Sequence, residues 1–147
     1  MPWPPRSPAS ASPSVPERSS PFRTWNGLEP REQFDGVWLH AIGGDQVLLC
    51  RVRYEPGKRV ESHSHPEAEQ LIAITAGSVE VTSESETRTM RAGDVAVFNR
   101  GVEHALVASD EGVEFFEALS PVPLDHVPDR ERDLVLGPDG GSQHVEA

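Results

Sequence analysis

Hydrophobic and polar residues alternate along much of the chain after Phe22. In the run "QVLLCRVRYE", every second residue from Leu48 to Tyr54 is apolar or weakly polar, and two arginines lie between them. A period of two is typical of a strand with one buried face. Similar runs follow one another at close spacing, separated by turn residues: "VWLHAI", "QLIAITA", "SVEVTSE", "ETRTMR", "DVAVFN", "HALVAS" and "VEFFEALS". No segment has a sustained helical period, so the pattern predicts an all-β sandwich or barrel.

The two ends of the chain differ from its middle. Residues 1–21 are dominated by Pro, Ser and Ala, and they offer few groups to bury, so this segment is predicted to be a disordered tail. The barrel is expected to occupy residues 22–126. Residues 127–147 form a second, polar tail in which "DLVL" is the part expected to dock, either on its own barrel or on another subunit. At 147 residues, a single domain is expected.

Composition narrows the classes of function. Thirteen basic and 24 acidic residues give a net charge of −11, which argues against binding nucleic acid or an anionic membrane surface. No stretch is long enough to span a bilayer, and the N-terminal stretch lacks the apolar centre of a signal peptide, so a reducing cytoplasm is the expected location. Cys50 is the only cysteine, which excludes an intramolecular disulfide and a multi-cysteine zinc site. Its place on an apolar face predicts a core residue.

Four polar side chains are candidate metal ligands. His63 and His65 are two positions apart, so both imidazoles project from the same face of an extended segment. Gln70 has the parity of the isoleucines that follow it, and it points into the barrel if they do. His104 opens the run "HALVAS" and shares a face with its leucine. Three imidazoles and an amide oxygen would suit zinc, iron, nickel or manganese without distinguishing among them.

Two further residues are candidates for proton transfer. Glu114 and Glu117 lie in "VEFFEALS" on opposite faces, so at most one points inward, and Glu117 is the candidate general base. His40, in "VWLHAI", is a candidate acid–base residue if it projects into the cavity.

The spacing of these residues resembles a known family. The stretch from Gly57 to Gly77 reads G-x5-H-x-H-x4-Q-x6-G, and the stretch from Gly93 reads G-x5-N-x-G-x2-H. Together they resemble the paired motifs of the cupin superfamily, G-x5-H-x-H-x3,4-E-x6-G and G-x5-P-x-G-x2-H-x3-N. The resemblance covers about residues 34–120. It implies a double-stranded β-helix, a jelly roll of two antiparallel sheets, with a divalent metal ion in its mouth and a homodimer as the assembly.

The sequence departs from these motifs at three positions. Asn99 replaces the motif proline and Ala108 the closing asparagine, both away from the ligands. At the third position, Gln70 replaces the usual glutamate, unless Glu69 takes that role through a local bulge; the parity of the apolar face favours Gln70. Uronate-processing KdgF-type cupins look similar in having glutamine here. A neutral amide would leave the metal a stronger Lewis acid and hold it less tightly.

The resemblance implies a metal-dependent enzyme that acts on a small oxygenated or aromatic substrate. The leading hypothesis is non-redox cyclisation, isomerisation or dehydration through a metal-stabilised enolate. Similar small cupins include aromatic polyketide cyclases and sugar-acid enzymes, and the apolar lining slightly favours the former. The alternatives are an iron- or nickel-dependent dioxygenase of the quercetin-dioxygenase type and a non-catalytic cupin that only binds a small molecule.

Overall fold

The chain forms short strands joined by tight turns, as the alternating pattern predicts. The structure is a computed structural model that describes residues 21–44 and 46–122 and the backbone of two short C-terminal strands. Most of the predicted N-terminal and C-terminal tails lies outside the described residues. Among the described residues all regular structure is β, which confirms the fold class, and no helix is long and apolar enough to cross a membrane. The strands are β1 Arg31–Phe34, β2 Val37–Gly43, β3 Leu48–Tyr54, β4 Arg59–His63, β5 Glu69–Ser83, β6 Glu86–Arg91, β7 Val95–Phe98, β8 His104–Ser120, β9 Leu134–Leu136 and β10 Ser142–His144.

The strands form two antiparallel layers that share β5 and β8. One layer runs β10-β9-β2-β3-β8-β5-β7, and β1 pairs with the same β2. The other layer runs β4-β8-β5-β6. This arrangement is the jelly roll of two antiparallel sheets implied by the resemblance. The "DLVL" segment contributes β9, which pairs with β2 of its own chain.

The long strands β5 and β8 bend where the sequence pattern predicts a break between two strands. Gly77 in β5 and Gly112 in β8 have φ angles of +70° and +74°. Residues that carry a Cβ atom rarely adopt such positive φ angles. The β5–β8 register shifts beside Gly77, yet the pairing continues on both sides. A Cβ at Gly77 would collide with the Gly112 carbonyl. The glycines therefore turn each strand from one layer into the other without ending it.

The barrel interior is filled by alternate residues of each strand. On β3, Leu48, Cys50, Val52 and Tyr54 are all buried, as their shared parity predicts. Cys50 is fully buried in this core, which confirms the prediction that it is a core residue. Because inward and outward side chains alternate, polar residues with inward parity are held inside the barrel with the apolar ones.

Candidate metal centre

The two histidines of the first motif are positioned by β4 and the turn that follows it. His63 is the last residue of β4 and lies opposite His104, the first residue of β8. The backbone N–H of Gly101 donates a 3.0 Å hydrogen bond to the carbonyl of His65. A 3.1 Å bond from the Val102 N–H to the Asn99 carbonyl closes the turn that presents Gly101, so this turn forms without the motif proline. The second motif thus holds the backbone of the first.

The three imidazoles converge at one point. Ring centroids are 4.3 Å apart for His63 and His104, 5.3 Å for His63 and His65, and 5.7 Å for His65 and His104. One nitrogen from each ring lies within 4.8 Å of the others. The predicted convergence of these histidines is therefore present, and their separation suits three ligands around a single ion.

Backbone carbonyls orient two of these rings. His63 Nδ1 lies 2.8 Å from the Glu61 carbonyl, and His104 Nδ1 lies 3.0 Å from the Val102 carbonyl. Since a carbonyl only accepts, each Nδ1 carries the hydrogen and donates it, which leaves Nε2 with its lone pair. His104 Nε2 is buried and has no hydrogen-bond partner among the described residues.

One face of the His104 ring is covered by an aromatic side chain. Phe98 stacks on it with ring centroids 4.1 Å apart and an interplanar angle of 9°. Burial lowers the pKa of His104 to about 4, with a smaller contribution in the same direction from His63 and His65 and partial opposition from the hydrogen bond to Val102. At neutral pH the ring is therefore uncharged, as a metal ligand must be.

A hydrogen bond orients the Gln70 amide. Gln70 is 4% exposed and faces the interior, whereas Glu69 faces solvent. Gln70 Nε2 donates a 2.9 Å hydrogen bond to Glu117 Oε2, and Gln70 Oε1 is buried without a hydrogen-bond partner among the described residues. Because a carboxylate accepts only from the amide NH2, the oxygen must point the other way. The inward direction expected from parity is present; the role of Gln70 as a ligand stays a prediction.

Two of the three histidines lie in the lining of a cavity of about 170 Å³. The polar residues of this lining are His63, His65, Gln70, Glu117, Ser64 and Gln33. The remaining lining residues are mainly apolar: Phe34, Val37, Val52, Tyr54, Val60 and Leu106. Burial and the charge of Glu117 both raise the pKa of Tyr54, so its phenol stays protonated at neutral pH. The lining thus combines possible metal ligands with apolar side chains.

The structure separates the two candidates for proton transfer. Glu117 is 7% exposed and lies in the cavity lining, whereas Glu114 lies on the opposite face of β8. The expectation that His40 projects into the cavity is wrong. Its neighbours Leu39 and Ala41 face the core, so His40 faces outward, where Trp25 stacks on it at 6.2 Å and the Leu28 carbonyl lies 3.0 Å from its Nε2.

The residues present fit a divalent metal ion. Buried nitrogen and oxygen atoms without partners cost free energy unless a ligand satisfies them, and His104 Nε2 and Gln70 Oε1 are two such atoms among the described residues. Three imidazole nitrogens and one amide oxygen suit zinc, iron, nickel or manganese and do not select one. Sequence reasoning missed the hydrogen bond from Gln70 to Glu117, because the two residues are 47 positions apart and no local pattern connects them.

Comparison with known proteins agrees with the fold and the motif spacing. Residues 50–119 match the cupin domain family. The pectin degradation protein KdgF of Dickeya dadantii (strain 3937) is 28% identical over 92 residues, which cover 62% of this chain and 84% of that protein. Germin-like protein 1-1 of Oryza sativa subsp. japonica is 36% identical over 78 residues, or 50% of this chain, and the chain spans only 34% of its length.

A solved structure gives the same result for the fold. The structure of KdgF from Halomonas sp. superposes with a TM-score of 0.68 at 20% identity, covering 73% of this chain and 98% of that one. At this identity the likeness concerns the fold alone. The two motifs, the two-layered barrel and the family match nevertheless agree with one another, and residues 50–119 form a domain of the cupin superfamily.

Proposed function

We propose that this protein is a metal-dependent enzyme that catalyses a non-redox isomerisation or cyclisation of a small oxygenated compound. The observation that carries the proposal is the convergence of three imidazoles, two of which line a small cavity together with Gln70, Glu117 and several apolar side chains. Such a cavity would hold a chelating substrate with its oxygens toward the ligands and its carbon skeleton against the apolar side chains.

Cavity size supports a substrate of modest dimensions. About 170 Å³ corresponds to about six water molecules at about 30 Å³ each, or to one compound of a few carbon and oxygen atoms. This volume favours a sugar-sized acid over the polycyclic polyketides that the sequence slightly favours. The name of the Dickeya relative refers to pectin degradation, which supports the same choice.

The residues of the chain divide the chemistry among them. A divalent ion held by His63, His65, His104 and Gln70 Oε1 would supply Lewis acidity toward a carbonyl oxygen of the substrate. Glu117, at the same cavity, would take a proton from the carbon beside that carbonyl and return it to a neighbouring carbon, so that the substrate is isomerised with no net change of oxidation state. The apolar side chains of the lining would keep bulk water away from the carbon that loses its proton.

Solvent deuterium exchange tests this proposal. Enolisable sugar acids are incubated in D2O with the metal-loaded protein, and proton NMR follows loss of the signal beside the carbonyl. We expect exchange or isomerisation that continues without oxygen and stops in His104→Ala. A requirement for oxygen would instead support the dioxygenase alternative. Tight ligand binding with no exchange would support a binding protein.

A further inference from the structure

Glu117 is the only Asp, Glu, Lys or Arg residue in the cavity lining of the described chain. No arginine or lysine of the described part contributes to that lining. The nearest arginines in the sheet, Arg51 and Arg53, have the outward parity of β3, and Arg59 on β4 has a side chain that is 62% exposed. A substrate in this cavity therefore meets no lysine or arginine of the described residues. Within this described lining, the positive charge that faces the substrate is that of the proposed metal ion.

The balance of charge in the cavity follows from these residues. Gln70 donates a hydrogen bond to Glu117 Oε2, so the Glu117 carboxylate lies one side chain away from the proposed metal ion. The Gln70 amide is neutral, and imidazoles that bind a metal ion are neutral as well. A divalent ion and one carboxylate then leave a single net positive charge. One negative charge on a ligand neutralises it, whereas a second leaves an excess negative charge beside the Glu117 carboxylate, with no lysine or arginine in the described lining to pair with it.

We propose that this cavity selects oxygen chelators with at most one negative charge, and that Glu117 excludes dianions. The inference rests on the proposed metal site and names the class of its substrate. Uncharged hydroxycarbonyl compounds and singly charged hydroxy acids or sugar acids belong to the accepted class. Compact dicarboxylates such as oxalate belong to the excluded class.

Three probes of matched size separate charge from shape. Oxalate, lactate and 3-hydroxybutan-2-one have the same number of non-hydrogen atoms and a pair of adjacent oxygen ligands, and their charges are two, one and zero. Each is titrated into the Co²⁺-loaded protein, whose metal content is first measured by elemental analysis, and binding is followed by calorimetry and by the Co²⁺ absorption bands. In Glu117→Gln, which keeps the shape and an acceptor for Gln70, we expect about hundredfold tighter oxalate, about tenfold tighter lactate and less than about twofold change for the ketone.

A matched control and a wild-type measurement complete the test. Glu114→Gln removes the same charge from the opposite face of β8, and its affinities should stay within about twofold of wild type. In the wild-type protein the ratio of oxalate to lactate affinity should be at least about tenfold lower than for aqueous Co²⁺. A ratio equal to that of the aqueous ion, or an equal response of all probes to Glu117→Gln, overturns the inference and leaves the proposed function standing. A protein that binds no Co²⁺ overturns both.

Discussion

Gln70 donates a hydrogen bond of 2.9 Å from Nε2 to Glu117 Oε2, and the two side chains face each other inside the barrel from the paired strands β5 and β8. The family motif has a glutamate at position 70. In the proposed site the neutral amide of Gln70 is the ligand, and the carboxylate of Glu117 lies one side chain further from the metal ion. The hydrogen bond to the carboxylate would polarise the amide and make Oε1 a better ligand for that ion.

The first prediction concerns which of two neighbouring residues binds the metal. Gln70→Ala removes a buried oxygen at the cavity, and we expect metal occupancy to fall by at least about tenfold. Loss of a residue that only supports a ligand commonly lowers metal affinity by about that factor, and loss of a ligand should lower it at least as much. Glu69→Ala changes a residue that faces solvent and should leave occupancy nearly unchanged. Elemental analysis of both variants, purified without chelators, measures the difference. The opposite result would show that Glu69 is the ligand.

The second prediction concerns the position of the negative charge. Gln70→Glu alone places two carboxylates in hydrogen-bonding contact inside the barrel, and we expect it to lower the free energy of unfolding of the metal-free protein by about 2–4 kcal/mol. Adding Glu117→Gln restores one carboxylate and one amide in exchanged positions. The double variant should recover most of the lost stability and bind metal more tightly than wild type, because the charge now lies on the ligand. Denaturant unfolding and competition with a metal indicator test both effects; additive losses in the double variant would contradict the pairing.

Parity along single strands was the part of this structure that the sequence could predict. The buried face of β3 and the inward direction of Gln70 follow from a period of two, since a strand inside a barrel cannot slip by one residue without exposing its core. The same period allowed only one of Glu114 and Glu117 to point inward, and the structure shows that it is Glu117. The convergence of three histidines came from motif spacing, and the structure contains it.

Contacts between distant segments account for what the sequence did not predict. His40 has the parity of an outward residue, but it is buried because Trp25 and Leu28, more than ten positions earlier, cover that face of the sheet. Gly77 and Gly112 suggest turns locally, yet their strands continue, because each glycine lets the other strand approach closely. Neither effect has a local signal.

The third prediction uses this close approach. Gly77→Ala would place a Cβ against the Gly112 carbonyl at a φ of +70°, where both the backbone and the neighbouring strand are fixed. We expect a loss of about 3 kcal/mol or more in the free energy of unfolding. Gly57→Ala is the matched control, because its φ is +73° and nothing lies within 4 Å of its added Cβ. It should cost about 1 kcal/mol, the strain of the backbone alone. If denaturant unfolding showed equal losses of stability in the two variants, the close approach of Gly77 to the Gly112 carbonyl would not be the cause.

The fourth prediction concerns His40 and pH. Burial lowers the pKa of this ring, and Arg51 lowers it further, although the hydrogen bond to Leu28 opposes them. Since the unfolded chain then binds a proton more readily than the folded one, His40 lowers stability as pH falls below about 6.5. His40→Phe keeps a ring against Trp25 and cannot titrate. Thermal unfolding of the metal-free proteins should show a shallower decline from pH 7 to 5 in the variant, with metal binding unchanged. A decline of equal slope would show that His40 is not the titrating group.

The fifth prediction concerns Cys50, whose thiol lies in the core. Burial raises its pKa well above the ordinary value, and Glu117 raises it further by charge and by a hydrogen bond. The folded chain therefore holds the thiol proton more firmly than the unfolded chain, and stability present below about pH 8.5 is lost as pH rises above that value. In Cys50→Ala the core contact is lost, at a cost of about 1–2 kcal/mol, but stability should decline less between pH 8 and 10.

Reaction with a thiol reagent gives an independent measurement of the same property. At pH 8 the native protein should react with Ellman's reagent at least about a thousandfold more slowly than the protein in denaturant, because reaction requires opening of the barrel. Raising the pH to 9 should accelerate the denatured protein through its larger thiolate fraction. Because the opened native protein exposes the same thiol, its reaction should accelerate by the same factor, and the ratio of native to denatured rates should stay the same at pH 9. Rapid reaction of the native protein would mean that Cys50 is accessible and that the carboxylate of Glu117 is not enclosed beside it.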